Sequence, residues 1–367
     1  MTAIRYPDAD YAGRIERARS SMADRNIDVL LISVGSDLPY LTGYEAMPLE
    51  RLTMAVVTAN DATLVVPLLE APRVIDRGVF EILPWAETDD PIEIVRRLMG
   101  SAGQAAIGAQ TWARFLVQLQ RSLPLVGFTD ATAVMSGLRI VKDADEIDLL
   151  RRAGAATDRV VSRLRSIRFS GTTEAALARH VMEMTVEEGH DVATFHIVAA
   201  GPNAASPHHE PGERVIAPGD CVVVDFGGRL GGYCSDTTRT FHVGEPGAEY
   251  AEAFAALQAA QMAGTAAAGP GVAAQDVDRA SRRVLVDAGW GEWFIHRTGH
   301  GIGLDGHEDP YLVEGNDSVL EPGMAFSVEP GVYMPGRWGM RIEDILVCTA
   351  DGRESLNNSP RELAIVE

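Results

Sequence analysis

VVVDFGGRLGGYCSDTTRTF, residues 222–241, is the stretch whose reading decides the fold. A run of valines leads into Asp225, a glycine-rich turn follows, and a second polar strand brings up Asp236. A hairpin closing between Leu230 and Gly231 makes Asp225 and Asp236 direct cross-strand partners, with Cβ atoms about 5 Å apart. Two like charges face to face cost stability unless a cation sits between them.

Further along, GMAFSVEPGVY (323–333) is a strand pattern that carries Glu329 and is stopped by Pro330. MPGRWG turns the chain, and MRIEDILVC (340–348) returns with Glu343 among apolar neighbours. Glu329 and Glu343 are symmetric about Gly336, so a hairpin closing there opposes them as well. Taken alone, either glutamate reads as an ion-pair member, with Arg341 as the partner for Glu343. Between the two hairpins, HRTGHGIGLDGHEDP (296–310) gathers His296, His300 and His307 among glycines that let backbone approach a ligand. One such histidine reads most simply as a hydrogen-bonded loop residue; three in one segment reverse that preference. Two opposed carboxylate pairs and a histidine suit a pair of divalent ions, Mn²⁺ foremost, with Co²⁺, Zn²⁺ or Fe²⁺ as alternatives. Such ions activate water and polarise a carbonyl. No Walker loop, dinucleotide fingerprint or Ser/Cys nucleophile elbow competes for the chemistry.

The chain has 367 residues and a formal charge of −20, which argues against nucleic acid and anionic membrane as partners. Cys221, Cys234 and Cys348 fit neither a disulfide framework nor a zinc knuckle, and point to a reducing compartment. The N-terminus lacks a secretory pattern and no apolar run is long enough for a bilayer, so a soluble cytoplasmic protein is expected. Strand and helix patterns alternate up to about residue 137, which predicts a small α/β domain over 1–137 and a second domain over 138–367. Within the first, SDLPYLTGYEAMPLERLT (36–53) reads either as a functional loop or as an ordinary connector. The second carries an internal repeat at an offset of 100 residues: Gly171/Gly271, Arg179/Arg279, Val186/Val286, Gly189/Gly289, His196/His296 and Gly201/Gly301. Two αβ halves with a site between them follow from that repeat.

In order and spacing, DFGGRLGGYCSDTTRTF, HRTGHGIGLDGHEDP, PGMAFSVEPGVY and GMRIEDILV resemble the motifs of the pita-bread metallopeptidases, the family of prolidase, aminopeptidase P and methionine aminopeptidase. The resemblance covers residue 142 to the C-terminus. YLTG (40–43) is similar to the creatinase-type N-terminal domain of the proline-specific members, which methionine aminopeptidases lack. The implied fold is α/β (α+β), a creatinase-type N-terminal domain followed by a pita-bread domain with a pseudo-twofold repeat. The resemblance implies metal ligation by Asp225, Asp236, His300, Glu329 and Glu343, with Asp236 and Glu343 bridging two ions. It makes Glu329 the proton shuttle and His307 the group that steadies the tetrahedral intermediate. His208, in GPNAASPHHEP, matches a substrate-binding histidine, with His209 as the alternative. His296 is expected to line the pocket, and Arg341 to orient a ligand carboxylate.

One position departs from the family. Many prolidases carry an arginine just after the HExP motif, where it could bind the dipeptide carboxylate, and Tyr311 stands there in this chain. Arg337 in the glutamate turn and Arg51 in the long N-terminal loop are the candidate replacements. Asp37 in the same loop is the candidate for the substrate α-amino group. A plain surface role competes with each. The implied activity is metal-dependent hydrolysis of the bond before proline in Xaa-Pro dipeptides, by a homodimer joined through its N-terminal domains. The alternatives are aminopeptidase P, a metal-dependent hydrolase of another small amide, and a non-catalytic relative. Creatinases and non-catalytic relatives lose ligands, and all five are present here.

Overall fold

The computed structural model describes residues 6–367, which separate into two compact units, 6–139 and 140–367. The first unit is built on a six-stranded mixed sheet whose order is Glu81–Trp85, Ala62–Pro67, Met54–Thr58, Val29–Ile32, Gln104–Ile107 and Gly127–Asp130. Its central strand Val29–Ile32 is buried throughout, as its uninterrupted apolar run requires. Val29, Leu31, Val56 and Val65 pack under Val95, Phe115 and Leu119 of the helices Pro91–Met99 and Ala113–Ser122. The stretch 36–53 is in part a connector with a core: the short helix Asp37–Thr42 buries Leu38, Tyr40 and Leu41.

The second unit contains two helix pairs and two sheets. Helices Ala144–Leu164 and Glu174–Glu187 precede a sheet ordered Ala364–Val366, Thr237–Val243, Cys221–Leu230 and Val192–Ala200. Helices Ala248–Ala267 and Ala274–Asp287 precede a second sheet ordered Glu308–Leu312, Gly299–Gly301, Ala325–Val328, Asp344–Thr349 and Gly352–Ser355. The ribbon Gly331–Met334/Trp338–Arg341 completes the unit. The 100-residue repeat is visible in the second helix of each pair, Glu174–Glu187 and Ala274–Asp287, whose bounds differ by that offset. Each helix is preceded by a glycine of positive φ (Gly171 and Gly271) and followed by another (Gly189 and Gly289). The strands that follow differ: Val192–Ala200 has nine residues, whereas the second half places a 3₁₀ turn at Gly291–Trp293 and a three-residue strand at Gly299–Gly301.

Alternation along Cys221–Leu230 positions the site. Val222, Val224 and Phe226 pack against Val160, Leu164, Leu177 and Val181 of the first helix pair. Burying each such side chain contributes about 1.5–3 kcal/mol. Cys221 and Val223 face the opposite way, into a core with Leu257, Met340 and Ile342. With a period of two, Asp225 follows them onto that face. The two sheets join there through a bridge between Thr238 and Glu343.

Candidate metal centre and substrate cleft

The first hairpin is shifted by two positions from the expected register. Asp225 pairs with Thr238, and Leu230 with Tyr233, so the two-residue turn is Gly231-Gly232. Both glycines have positive φ, 58° and 93°, as a type I′ turn demands. A turn centred on Leu230-Gly231 would force a leucine into that conformation. Continuing the register sets Asp236 beside Gly227, diagonal to Asp225. Because the shift is even, both aspartates keep the same face. Gly227 cannot carry a side chain: a Cβ there would lie 2.1 Å from the Ser235 carbonyl oxygen and 2.5 Å from the Phe195 ring.

The second hairpin has the expected register. Gly331 pairs with Arg341 on one side, and Val328 pairs with Asp344 on the other. Glu329 and Glu343 therefore face each other where the ladder is interrupted. Glu343 is tied to the first hairpin twice, through its backbone N–H to the Thr238 carbonyl (3.1 Å) and by accepting the Thr238 hydroxyl on Oε2 (2.7 Å).

His300 arrives on Gly299–Gly301, whose glycines permit close backbone approach: a Cβ on Gly299 would lie 2.0 Å from the Ser327 carbonyl. Its Nδ1 faces the Gly301 carbonyl at 3.1 Å, which makes Nδ1 a donor and turns the Nε2 nitrogen toward the carboxylates. Nε2 stands 3.1 Å from Glu329 Oε1 and 3.8 Å from Asp236 Oδ2. Asp225, Asp236 and Glu343 each offer an oxygen within 4.8 Å of the others, and His300, Glu329 and Glu343 form an equally tight set.

Burial, and after it the charges of Glu343, Asp225 and Glu329, push the Asp236 carboxyl well above its usual range. Glu343 is raised in the same way, by burial and then by Glu329 and Asp225. Burial would raise Glu329 too, but the hydrogen bond and charge of His300 outweigh it and hold Glu329 at about 2. The cluster thus holds more negative charge than it can ionise unaided.

These groups lie together in a cleft of about 900 Å³, which His208, His296, His307 and Arg341 also line. His307 packs its ring 3.8 Å from that of His300. Burial, and then the neighbouring His300, push it down to about 4. His208 faces the cleft, whereas His209 turns to the buried Glu174, 2.9 Å away, so only the first of the pair is placed to meet a ligand. His296 is half-buried. Its Nδ1–H donates to the Arg297 carbonyl (2.7 Å), and its Nε2 accepts the Tyr333 hydroxyl (3.0 Å). Arg341 is 3 % exposed and donates to Asp225 Oδ2 (2.5 Å), the Thr238 hydroxyl (3.0 Å) and the Tyr333 hydroxyl (2.7 Å).

Three further expected residues have other partners. Arg337 lies at the outer turn of the second hairpin, paired in two places with Glu249, and lines a separate surface pocket with Trp338. The hairpin register that opposes Glu329 and Glu343 sends its turn away from them. Arg51 and Asp37 belong to the first unit, where Arg51 pairs with Glu50 and Glu87, and Asp37 with Arg139. Sequence reasoning missed Thr238, Tyr333, Ser327 and Arg297. Thr238 pairs with Asp225, and Tyr333 stands diagonal to Arg341, two positions along the ribbon.

Residues 148–350 match metallopeptidase family M24, and residues 14–141 match the creatinase/prolidase N-terminal domain. The chain belongs to family M24. A curated relative from Mycobacterium tuberculosis, "probable dipeptidase PepE", is 46% identical over 100% of this chain and 99% of its own length. An Xaa-Pro dipeptidase from Lactobacillus helveticus is 34% identical over 96% of this chain and 98% of its own. The crystal structure of dipeptidase PepE from Mycobacterium ulcerans superposes with a TM-score of 0.92 at 44% identity, covering 98% of this chain and all of that one. Family and fold expected from the motifs therefore hold, with the creatinase-type domain first and the M24 domain second.

An M24 metallopeptidase requires residues able to hold a divalent cation, and this donor set fits one. Among the described residues, Asp225 Oδ1 and Glu343 Oε1 are buried with no hydrogen-bond partner, on a wall that crowds four carboxylates against one imidazole nitrogen. Leaving such oxygens bare costs several kcal/mol, which a cation would offset. Among the described residues, no helix is long and apolar enough to cross a membrane.

Proposed function

We propose that the protein is an Xaa-Pro dipeptidase that hydrolyses the bond before proline with the help of two divalent metal ions. The observation that carries this is the convergence of Asp225, Asp236, His300, Glu329 and Glu343 at one end of a cleft large enough for a dipeptide. These five side chains would hold the ions. Oxygen donors favour Mn²⁺, with Co²⁺, Zn²⁺ or Fe²⁺ as alternatives. When bound, the ions supply Lewis acidity for the scissile carbonyl and for the attacking water.

The chain's own residues do the rest. Glu329 takes the water's proton on a carboxylate oxygen and returns it to the departing proline nitrogen. Ser327, donating to Glu329 Oε1 at 3.1 Å, and the His300 ring fix the orientation of that carboxylate. His307 and His208 flank the cleft and orient the substrate carbonyl, where a donor is effective because it is in place before charge develops. Arg341 holds Asp225, and through Tyr333 it also sets the His296 ring that lines the pocket. We place the domain boundary between residues 137 and 138. We assign the protein to the cytoplasm, in keeping with three buried thiols, and to a homodimer, which sedimentation equilibrium tests.

Tyr311, in place of the family arginine, favours a second reading, aminopeptidase P, in which no cation greets a substrate carboxylate. Kinetics on Ala-Pro and Ala-Pro-Ala decide between them. Higher kcat/KM on Ala-Pro supports the dipeptidase, and equal or higher kcat/KM on the tripeptide refutes it.

A further inference from the structure

A dipeptidase must recognise a free carboxylate close to its reacting bond, and longer peptides lack that group there. Two arginines line the cleft, Arg297 and Arg341. Arg341 is buried and committed to Asp225, Thr238 and Tyr333. Arg297 is half-buried and forms no ion pair among the described residues. Its guanidinium lies over the Tyr311 ring, 4.4 Å from the centroid, and its Nη2 stands 3.4 Å from His307 Nδ1. The residue standing where many prolidases carry their arginine has thus become the platform for an arginine delivered from the neighbouring segment.

That segment is pinned on both sides of Arg297. The buried Asp278 accepts the Thr298 backbone N–H (3.0 Å) and hydroxyl (2.8 Å). Arg282, gripped by the same carboxylate, donates to the carbonyls of Phe294 (2.9 Å) and His296 (2.8 Å). Tyr311 is held in turn, because the Asn316 side chain donates to its carbonyl at 2.7 Å. A planar guanidinium stacked on a ring keeps its edge donors available and loses little freedom on binding a carboxylate.

We propose that Arg297, carried on the face of Tyr311, binds the free carboxylate of the dipeptide and makes the enzyme selective for dipeptides. This rests on the Xaa-Pro dipeptidase reading above and names the cation that reading needs. The test compares Ala-Pro with Ala-Pro amide, which lacks only the charge. A charge-assisted pair is worth roughly 10- to 100-fold in binding. Arg297→Ala lowers kcat/KM on Ala-Pro by about that factor, mostly through KM, and leaves the amide nearly unchanged. It also weakens competitive inhibition by L-proline but not by prolinamide. The ratio of two substrates on one preparation does not depend on how much of a variant is folded. Adding Tyr311→Arg to Arg297→Ala restores the preference for Ala-Pro, since the cation returns on the adjacent strand. Equal losses on both substrates, or an unchanged preference, overturn the role of Arg297. If the wild type itself shows no preference for Ala-Pro over its amide and over Ala-Pro-Ala, the dipeptidase reading falls and the proposal with it.

Discussion

Arg341→Met tests how the centre is held together. The side chain is 3 % exposed and its partner Asp225 10 %, so solvent screens the pair little. Methionine fills similar volume but removes the donors to Asp225, Thr238 and Tyr333. Breaking a buried pair from one side costs about 3–5 kcal/mol, because the remaining charge stays buried without its partner. That is a large share of the roughly 5–15 kcal/mol that stabilises a typical domain. In an Asp225→Asn background no charge is stranded, and the same substitution should cost only about 1–2 kcal/mol for the remaining hydrogen bonds. The assay is urea unfolding in the presence of a chelator, followed by tryptophan fluorescence. Trp290, Trp293 and Trp338, three of the five tryptophans, report on the second unit. A loss below about 1 kcal/mol, or an equal loss in both backgrounds, refutes the assignment of Arg341 as the cation that neutralises Asp225.

Glu329→Ala is expected to lower kcat on Ala-Pro by at least about 10²- to 10⁴-fold, the usual worth of a positioned proton carrier, and full activity in that variant with Mn²⁺ added refutes the role. His208→Ala should reduce kcat/KM with little change in unfolding midpoint. His209→Ala should do the reverse, costing about 1–3 kcal/mol because Glu174 loses a buried partner; an exchange of the two phenotypes would reverse their assignments. Burial lowers the pKa of His190, whose ring is enclosed between the Thr185 carbonyl and the Ser235 hydroxyl. Unfolding therefore takes up a proton at His190 below the ordinary histidine pKa of about 6.5, so this residue should contribute a loss of stability to chelator-treated protein as pH falls from 7 to 5. The difference in stability between wild type and His190→Gln should change over that pH range, and a difference that is constant with pH refutes the contribution.

The second glutamate hairpin was legible because its symmetry point is a glycine, and Gly336 does take positive φ, 72°. The first hairpin contained four glycines in a short span, so turn chemistry rather than symmetry settled its register. The error was two positions because Leu230 resists the conformation that Gly231 and Gly232 adopt. The site survived that error, since an even shift leaves Asp225 and Asp236 on one face. The cation of the cleft was not legible. Arg297 sits in a histidine-glycine run whose other members drew the eye, and its stacking on Tyr311 depends on a strand pairing with a bulge between Gly299 and Gly301. Arg337 misled for the opposite reason, being close to the glutamates in sequence but at the far tip of their ribbon. The 36–53 stretch read as a polar loop because its buried Leu38, Tyr40 and Leu41 are interleaved with turn-forming residues.

The most direct measurement is a titration of the metal-stripped protein with Mn²⁺, following Ala-Pro hydrolysis and bound metal together. Activity should be absent without metal, should rise with added ion, and should saturate at two ions per chain. Hydrolysis by the stripped protein, or two bound ions with no cleavage of Ala-Pro, contradicts the assignment of this centre to a dinuclear Xaa-Pro dipeptidase.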